Sequence, residues 1–203
     1  FLSVPHGEAK KIAEKLSCRV IDMSGANRLT HTYGLPEVFK EEIKSAQIVA
    51  NPGCYATACI LAAYPIRNLI RYVVFDCISG YSGGGKNAEY DYKENIIAYQ
   101  ISKHFHIKEI SKVLGQKVSF TPHVVNTFQG LMCTAHVFFK KEADERIVKD
   151  KFKSFYEGTF TKIVDKIPCT KDVVGSHYCL LGGFESDENN QFVSTRAKKI
   201  AMA

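Results

Sequence analysis

The chain has 203 residues, a formal net charge of +6 and 45% hydrophobic residues, enough apolar side chains for one or two buried cores and too many for a disordered chain. No apolar run approaches the ~20 residues of a membrane span, and the short basic clusters Lys10-Lys11, Lys140-Lys141 and Lys198-Lys199 read as solvated faces, not as a nucleic-acid stripe. Seven cysteines, an odd number without a C-x-x-C pair, argue against a disulfide framework or a zinc ribbon and for a reducing, cytoplasmic setting, while the mild positive field favours an anionic small-molecule substrate.

Phe1 to Val4 reads as a buried strand, followed by Pro5-His6-Gly7 and a helix from Glu8 to Leu16. A second strand, Arg19 to Met23, continues the βαβ rhythm of a doubly wound sheet. No G-x-G-x-x-G occurs near this end, so residues 1–50 read as the C-terminal part of a Rossmann-type dinucleotide-binding domain whose first strands are cut away or start late. Gln47 to Ala50 is a third strand. It enters Asn51-Pro52-Gly53-Cys54, a tight turn that delivers Cys54 onto the first turn of an Ala-, Ile- and Leu-rich helix stopped by Pro65.

Unpaired backbone N–H groups and the helix dipole favour an anion at that position, so Cys54 is a candidate thiolate nucleophile. Lowering a thiol pKa by about two units needs roughly 2.7 kcal/mol of preferential anion stabilisation, which a helix end and a cationic histidine together can supply. A buried structural cysteine is the competing reading.

A second, α+β domain begins at Asn51 and runs to residue 184, with residues 185–203 expected to return toward the nucleotide domain. Its expected strands are Arg71–Ser79, Lys117–Thr121, Leu131–Lys140 and Thr159–Asp165, and its expected helices Glu94–His104, Lys108–Leu114 and Glu142–Tyr156. Ser79-Gly80-Tyr81-Ser82-Gly83-Gly84-Gly85-Lys86 follows a strand, and its small residues would let backbone N–H groups approach an anionic group; a flexible turn is the plainer alternative. His104-Phe105-His106-Ile107-Lys108-Glu109 offers a general acid/base with a carboxylate to orient it. H-x-H on a strand would put both rings on one face for a metal, but no third ligand has matching spacing, so no metal is expected. Thr121-Pro122-His123, continuing to Gln129-Gly130, reads as a bounded loop with polar side chains for substrate.

In this order and spacing, Asn51 to Ala58, Ser79 to Lys86, His104 to Glu109 and Thr121 to Gly130 resemble the N-acetyl-gamma-glutamyl-phosphate reductase family. So do Ile21-Asp22-Met23-Ser24, Asn27-Arg28-Leu29 and Tyr33-Gly34-Leu35-Pro36-Glu37, with Val173-Val174-Gly175 and Cys179 farther on. The resemblance implies an α/β protein, a Rossmann NADP-binding domain joined to a glyceraldehyde-phosphate-dehydrogenase-like catalytic domain that assembles as a homodimer or homotetramer.

It implies that Cys54 attacks an acyl phosphate and that His104 is the acid/base. Asn51, Ser79, Ser82, Tyr99, His106, Glu109, His123 and Gln129 would support them or bind substrate, and Gly53, Gly80, Gly83 and Gly85 would lie against NADP. Three positions depart from the family pattern: Gln129 and Lys86 stand where arginines are usual, and Asn27 where an aromatic is common. The tail from Ser194 to Ala203 also lacks the family's Asn-Leu-x-Lys-Gly-Ala ending. Related acyl-phosphate reductases acting on aspartate or aminoadipate semialdehyde, a cysteine hydrolase built from Cys54 and His104, and a non-catalytic binding relative are the alternatives.

Overall fold

A computed structural model describes residues 1–87, 92–186 and 191–198. The chain divides into two compact units, Phe1–Thr57 and Ala58–Ala203.

In the first unit, β1 (Val20–Asp22), β2 (Thr32–Tyr33) and β3 (Ile48–Ala50) form a parallel sheet in the order β1-β3-β2, with helices α1 (His6–Ala13) and α2 (Pro36–Ser45). β3 is buried throughout, as a central parallel strand should be. Pro36, whose fixed φ suits a first helical turn, opens α2. Leu2, Ala9, Ala13, Val20 and Ile48 form the core.

The expected strand at Phe1–Val4 reduces to one parallel bridge between Leu2 and Asp22, made by Leu2 N to Ile21 O and Met23 N to Leu2 O, both 2.9 Å. α1 ends at Ala13, short of the expected Leu16, because Lys15 and Leu16 bond to carbonyls three residues back and tighten the chain into a turn.

The second unit holds a seven-stranded mixed sheet of β4 (Ile70–Gly80), β5 (Ile96–Ala98), β6 (Ser119–Val125), β7 (Leu131–Phe139), β8 (Thr161–Ile163), β9 (Cys179–Ser186) and β10 (Gln191–Lys198). Their order is β5-β6-β4-β7-β10-β9-β8, with β4 parallel to β6 and β8 parallel to β9. Burial alternates strictly along β6 and β7, so one face carries Phe120, Val124, Cys133, Ala135 and Val137 while the other is half-exposed. Helices α3 (Cys54–Ala63), α4 (His106–Leu114) and α5 (Glu145–Tyr156) complete the fold. From Ala58 to Ala63, α3 is apolar on every side and at most 1% exposed. The hydroxyl of Tyr156 on α5 donates to Leu61 O at 2.7 Å and satisfies one of the last carbonyls of α3.

Several expectations shift. The second domain is expected from Asn51, whereas the division falls after Thr57, because Asn51 is bonded back into the first sheet through Asp22 O at 2.8 Å. Instead of a helix over Glu94–His104 the chain forms β5, flanked by positive φ at Glu94 (49°) and Gln100 (46°), which no right-handed helix accommodates. Thr121-Pro122-His123 is no loop. It lies inside β6 with Pro122 opposite Cys77 of β4, and Pro122 O accepts from Tyr99 N at 3.2 Å.

Among the helices, α5 starts three residues after the expected Glu142, because Asp144 caps it with Oδ1 bonds from Arg146 N (2.7 Å) and Ile147 N (3.3 Å). Over 191–198 the tail forms β10, which inserts between β7 and β9. Lys199, Ile200 and Ala201 of the expected tail motif lie outside the described residues.

Candidate active site

Cys54 is the first residue of α3, and it is partly exposed while Gly53 before it and Tyr55 after it are buried. Gly53 O accepts from both Thr57 N (2.9 Å) and Thr57 Oγ1 (2.8 Å), which closes the first turn of the helix. Before that turn, Asn51 N donates to Asp22 O at 2.8 Å, Arg28 Nε donates to Asn51 O at 2.7 Å, and Asn51 Nδ2 donates to Pro52 O at 3.3 Å.

Asp22 is itself built in. Its carboxylate accepts from Ser24 N and Asn27 Nδ2, each at 2.8 Å. Burial alone would raise the Asp22 pKa, but these bonds outweigh it and hold the carboxyl below its usual range. Asn27, fully buried, thus has a polar task where an aromatic is common in the resembling family. Arg28 and the Asp22–Ser24–Asn27 network are not among the candidate site residues that the sequence offers; only an arginine soon after an Asp-x-Ser signals them.

In the second unit, His104 is 6% exposed and sits among Tyr99, Phe105, His106 and Phe120, with ring centroids at 5.8, 4.7, 4.5 and 5.3 Å. Gln100 O holds its backbone N–H at 3.1 Å. Burial lowers the His104 pKa from 6.5 to about 4, so the resting ring is neutral and does not supply the positive charge that a cationic histidine would. His106 N donates to His104 Nδ1 at 3.2 Å. Nδ1 is therefore the acceptor, and the proton of the neutral ring resides on Nε2.

His106 opens α4, off any strand, so the H-x-H pair does not present two rings on one strand face. Glu109 reaches His106 Nε2 at 3.9 Å, with both side chains almost fully buried. His123 donates from Nδ1 to Cys77 O at 3.2 Å.

The Gly-rich segment forms a 3-10 stretch, Tyr81–Asn87, directly after β4. It is tied to the segment before β7 by Gly80 N to Gly130 O (2.9 Å), Tyr81 N to Thr127 O (2.9 Å) and Ser82 N to Phe128 O (3.0 Å). A Cβ on Gly80 would meet Thr127 O at 2.6 Å and Gln129 N at 2.7 Å, so this glycine serves backbone packing and leaves no open cradle. Gly83 is exposed, and Gly85 follows in the same stretch. Ser79 is buried, its hydroxyl donating to Gly80 O at 3.2 Å. Ser82 Oγ is shielded from solvent and has no hydrogen-bond partner among the described residues. The backbone N–H of Gly80 is already taken by Gly130 O, whereas Gly83 is exposed.

Residues 54–197 match the family described as semialdehyde dehydrogenase, dimerisation domain, and residues 1–46 match semialdehyde dehydrogenase, NAD binding domain. The chain is 37% identical to N-acetyl-gamma-glutamyl-phosphate reductase of Methanobrevibacter smithii, covering 95% of this chain and 68% of that one. It is 38% identical to the Methanocaldococcus jannaschii reductase, over 95% of this chain and 67% of its relative. Among solved structures, aspartate semialdehyde dehydrogenase II from Vibrio cholerae superposes with a TM-score of 0.77 at 20% identity, over 97% of this chain and 72% of that one. Aspartate semialdehyde dehydrogenase from Francisella tularensis gives 0.77 at 14%, over 96% and 75%. At those identities the likeness is one of fold.

Proposed function

Because the chain belongs to the N-acetyl-gamma-glutamyl-phosphate reductase family, we propose that it reduces N-acetyl-gamma-glutamyl phosphate to N-acetylglutamate semialdehyde and phosphate, with NADPH as the hydride donor. The observation that carries this reading is Cys54 at the start of α3, on a turn fixed by Asp22, Arg28 and Thr57. The Cys54 sulfur attacks the acyl carbon as the thiolate, the C–O bond to phosphate breaks, and phosphate leaves with the electron pair, giving a thioester. The nicotinamide cofactor, when bound, supplies the hydride that takes this thioester to the aldehyde level. The Nε2–H of the neutral His104 ring donates a hydrogen bond to the oxyanion that results and keeps its proton. Collapse of the oxyanion then breaks the C–S bond, the electron pair returns to the Cys54 sulfur, and the semialdehyde leaves.

First-turn N–H groups of α3 suit the tetrahedral oxyanion. Ser82 Oγ and the exposed Gly83 are the groups we assign to the phosphate or the nicotinamide, and Gln129 to the acyl end, where a neutral amide replaces the fork of an arginine. None of the seven cysteines is held in a disulfide, which suits a cytoplasmic enzyme working through a thiol.

Phosphate-dependent reduction of NADP⁺ with N-acetylglutamate semialdehyde tests the assignment in the natural polypeptide that carries this chain. Turnover is expected with that aldehyde, at a much lower rate with aspartate semialdehyde, and none after Cys54→Ser. Turnover retained by Cys54→Ser overturns the mechanism, and a preference for aspartate semialdehyde overturns the substrate.

A further inference from the structure

Three cysteines that this reaction does not use meet in the core of the second unit. Cys59 on α3 lies 3.6 Å from Cys77 on β4 and 3.7 Å from Cys133 on β7, sulfur to sulfur. Cys77 and Cys133 are directly opposite in the antiparallel β4–β7 pairing, so the sheet register sets two of the sulfurs and α3 brings the third. All three sulfurs lie within 4.8 Å of one another, and all three residues are 0% exposed. A metal–sulfur bond of about 2.3 Å implies sulfur–sulfur edges of about 3.8–4.0 Å around one ion. Two of the three sulfur–sulfur edges, 3.6 and 3.7 Å, are close to that spacing, and the third is within 4.8 Å.

Charge selects the ion. Phe75, Val73, Ala135 and Val137 on the same strands are fully buried. A core of this kind tolerates a complex without net charge far better than an ionic one. Three thiolates on a divalent ion leave one negative charge, whereas three on a trivalent ion leave none.

We propose that Cys59, Cys77 and Cys133 form a binding site for a soft trivalent ion of the arsenic class, held as a neutral trithiolate. With arsenous acid, As(OH)₃, three As–O bonds break and three As–S bonds form. Each thiol proton leaves with a hydroxide as water, and arsenic stays trivalent, so no oxidant or reductant is needed.

The test uses the protein with its accessible thiols, Cys18, Cys54 and Cys169, first alkylated in the folded state. It is then exposed to arsenite, both by incubation and during refolding, since the site is sealed in the folded chain. Native mass spectrometry should show a gain of one arsenic less three protons, and X-ray absorption at the arsenic edge should show three sulfur neighbours and no oxygen. Uptake should fall at least tenfold in Cys59→Ala and Cys133→Ala and persist in Cys179→Ala. Where those variants fail to fold, the coordination shell in the unsubstituted chain decides. No uptake by either route, oxygen in the shell, uptake that survives Cys59→Ala, or cadmium taken up in preference to arsenite overturns the proposal.

Discussion

At the scale of the residue, the proposed mechanism leans on His104. With its pKa near 4 and Nδ1 occupied by the His106 N–H, its resting ring is neutral with the proton on Nε2. Substituting His104→Ala removes the hydrogen-bond donor proposed for the oxyanion, so kcat should fall about 10²- to 10³-fold with KM little changed. The same burial has a thermodynamic consequence. An unfolded histidine takes a proton near pH 6.5 while the folded ring refuses it until about pH 4, so the unfolded state binds more protons in that window and stability falls as pH drops from 6.5 to 4. At about 1.4 kcal/mol per pKa unit the loss is at most about 3 kcal/mol, reduced by whatever water reaches the ring. Urea unfolding at pH 7 and pH 4.5 should show it, and His104→Phe should flatten the difference; an unchanged difference would place the acid sensitivity elsewhere. Asp22 acts lower: its carboxyl is held below the usual range, so its contribution stays intact above about pH 4 and disappears only as the folded carboxyl itself takes a proton. Cys54 is legible from the sequence because its turn, its helix and the proline that ends it are contiguous. Arg28 is not, because its bond to Asn51 spans 23 positions and no local pattern encodes such a contact.

At the scale of the element, the same distinction between local and distant causes separates what the sequence shows from what it hides. β7 alternates strictly between buried and half-exposed residues, and its expected span holds within a residue. The helix ending at Tyr156 is equally legible, and only the Asp144 cap moves its start. β5 is hidden, since Ile96-Ile97-Ala98 becomes a strand by pairing with Val125, Val124 and His123 and by turning at two positive-φ residues, neither of which hydrophobic spacing reveals. Pro122 misleads in the same way. A proline suggests a turn, yet one whose missing N–H is not needed by the ladder stays in the strand. Asp144→Ala should cost about 1 kcal/mol in thermal or urea unfolding, with activity per folded molecule unchanged, because it removes only the cap of α5. Gly80→Ala tests a tighter constraint. The added methyl would strike backbone atoms of Thr127 and Gln129 that flexible side chains cannot yield, so a loss of about 1–3 kcal/mol is expected, with weaker substrate binding as Gln129 is pushed aside. A Gly80→Ala protein with unchanged stability and KM would mean that the 127–129 segment moves freely.

At the scale of the whole molecule, the open face of the seven-stranded sheet remains to be accounted for. Val74, Asp76 and Ile78 of β4 and Met132, Thr134 and His136 of β7 are only half-buried, while the opposite face packs against Cys59 and its apolar neighbours. An antiparallel sheet tolerates one wet face, and the pairing of His136 with Asp76 at 3.6 Å gives this one some polarity. The matching family description names a dimerisation domain over these strands. A second copy on this face would take the half-buried Val74, Ile78 and Met132 out of water, and that arrangement is the one to test. A stable dimer of standard size buries about 800 Å² on each partner, an area that a face spanning several strands can supply. Thr134 is the residue to change, since it lies opposite Asp76 on one side and Thr195 on the other and so sits in the middle of the sheet. An arginine there brings two like charges close together across a two-fold contact and desolvates both, which should weaken association at least tenfold. Sedimentation equilibrium should then give a dimer or tetramer for the unsubstituted protein and mostly monomer for Thr134→Arg, while Lys151→Glu, at an exposed position of α5, should leave the mass unchanged. An unaltered oligomer in Thr134→Arg would mean that the copies meet elsewhere, and the half-exposed face would then have to be explained as an ordinary wet side of an antiparallel sheet.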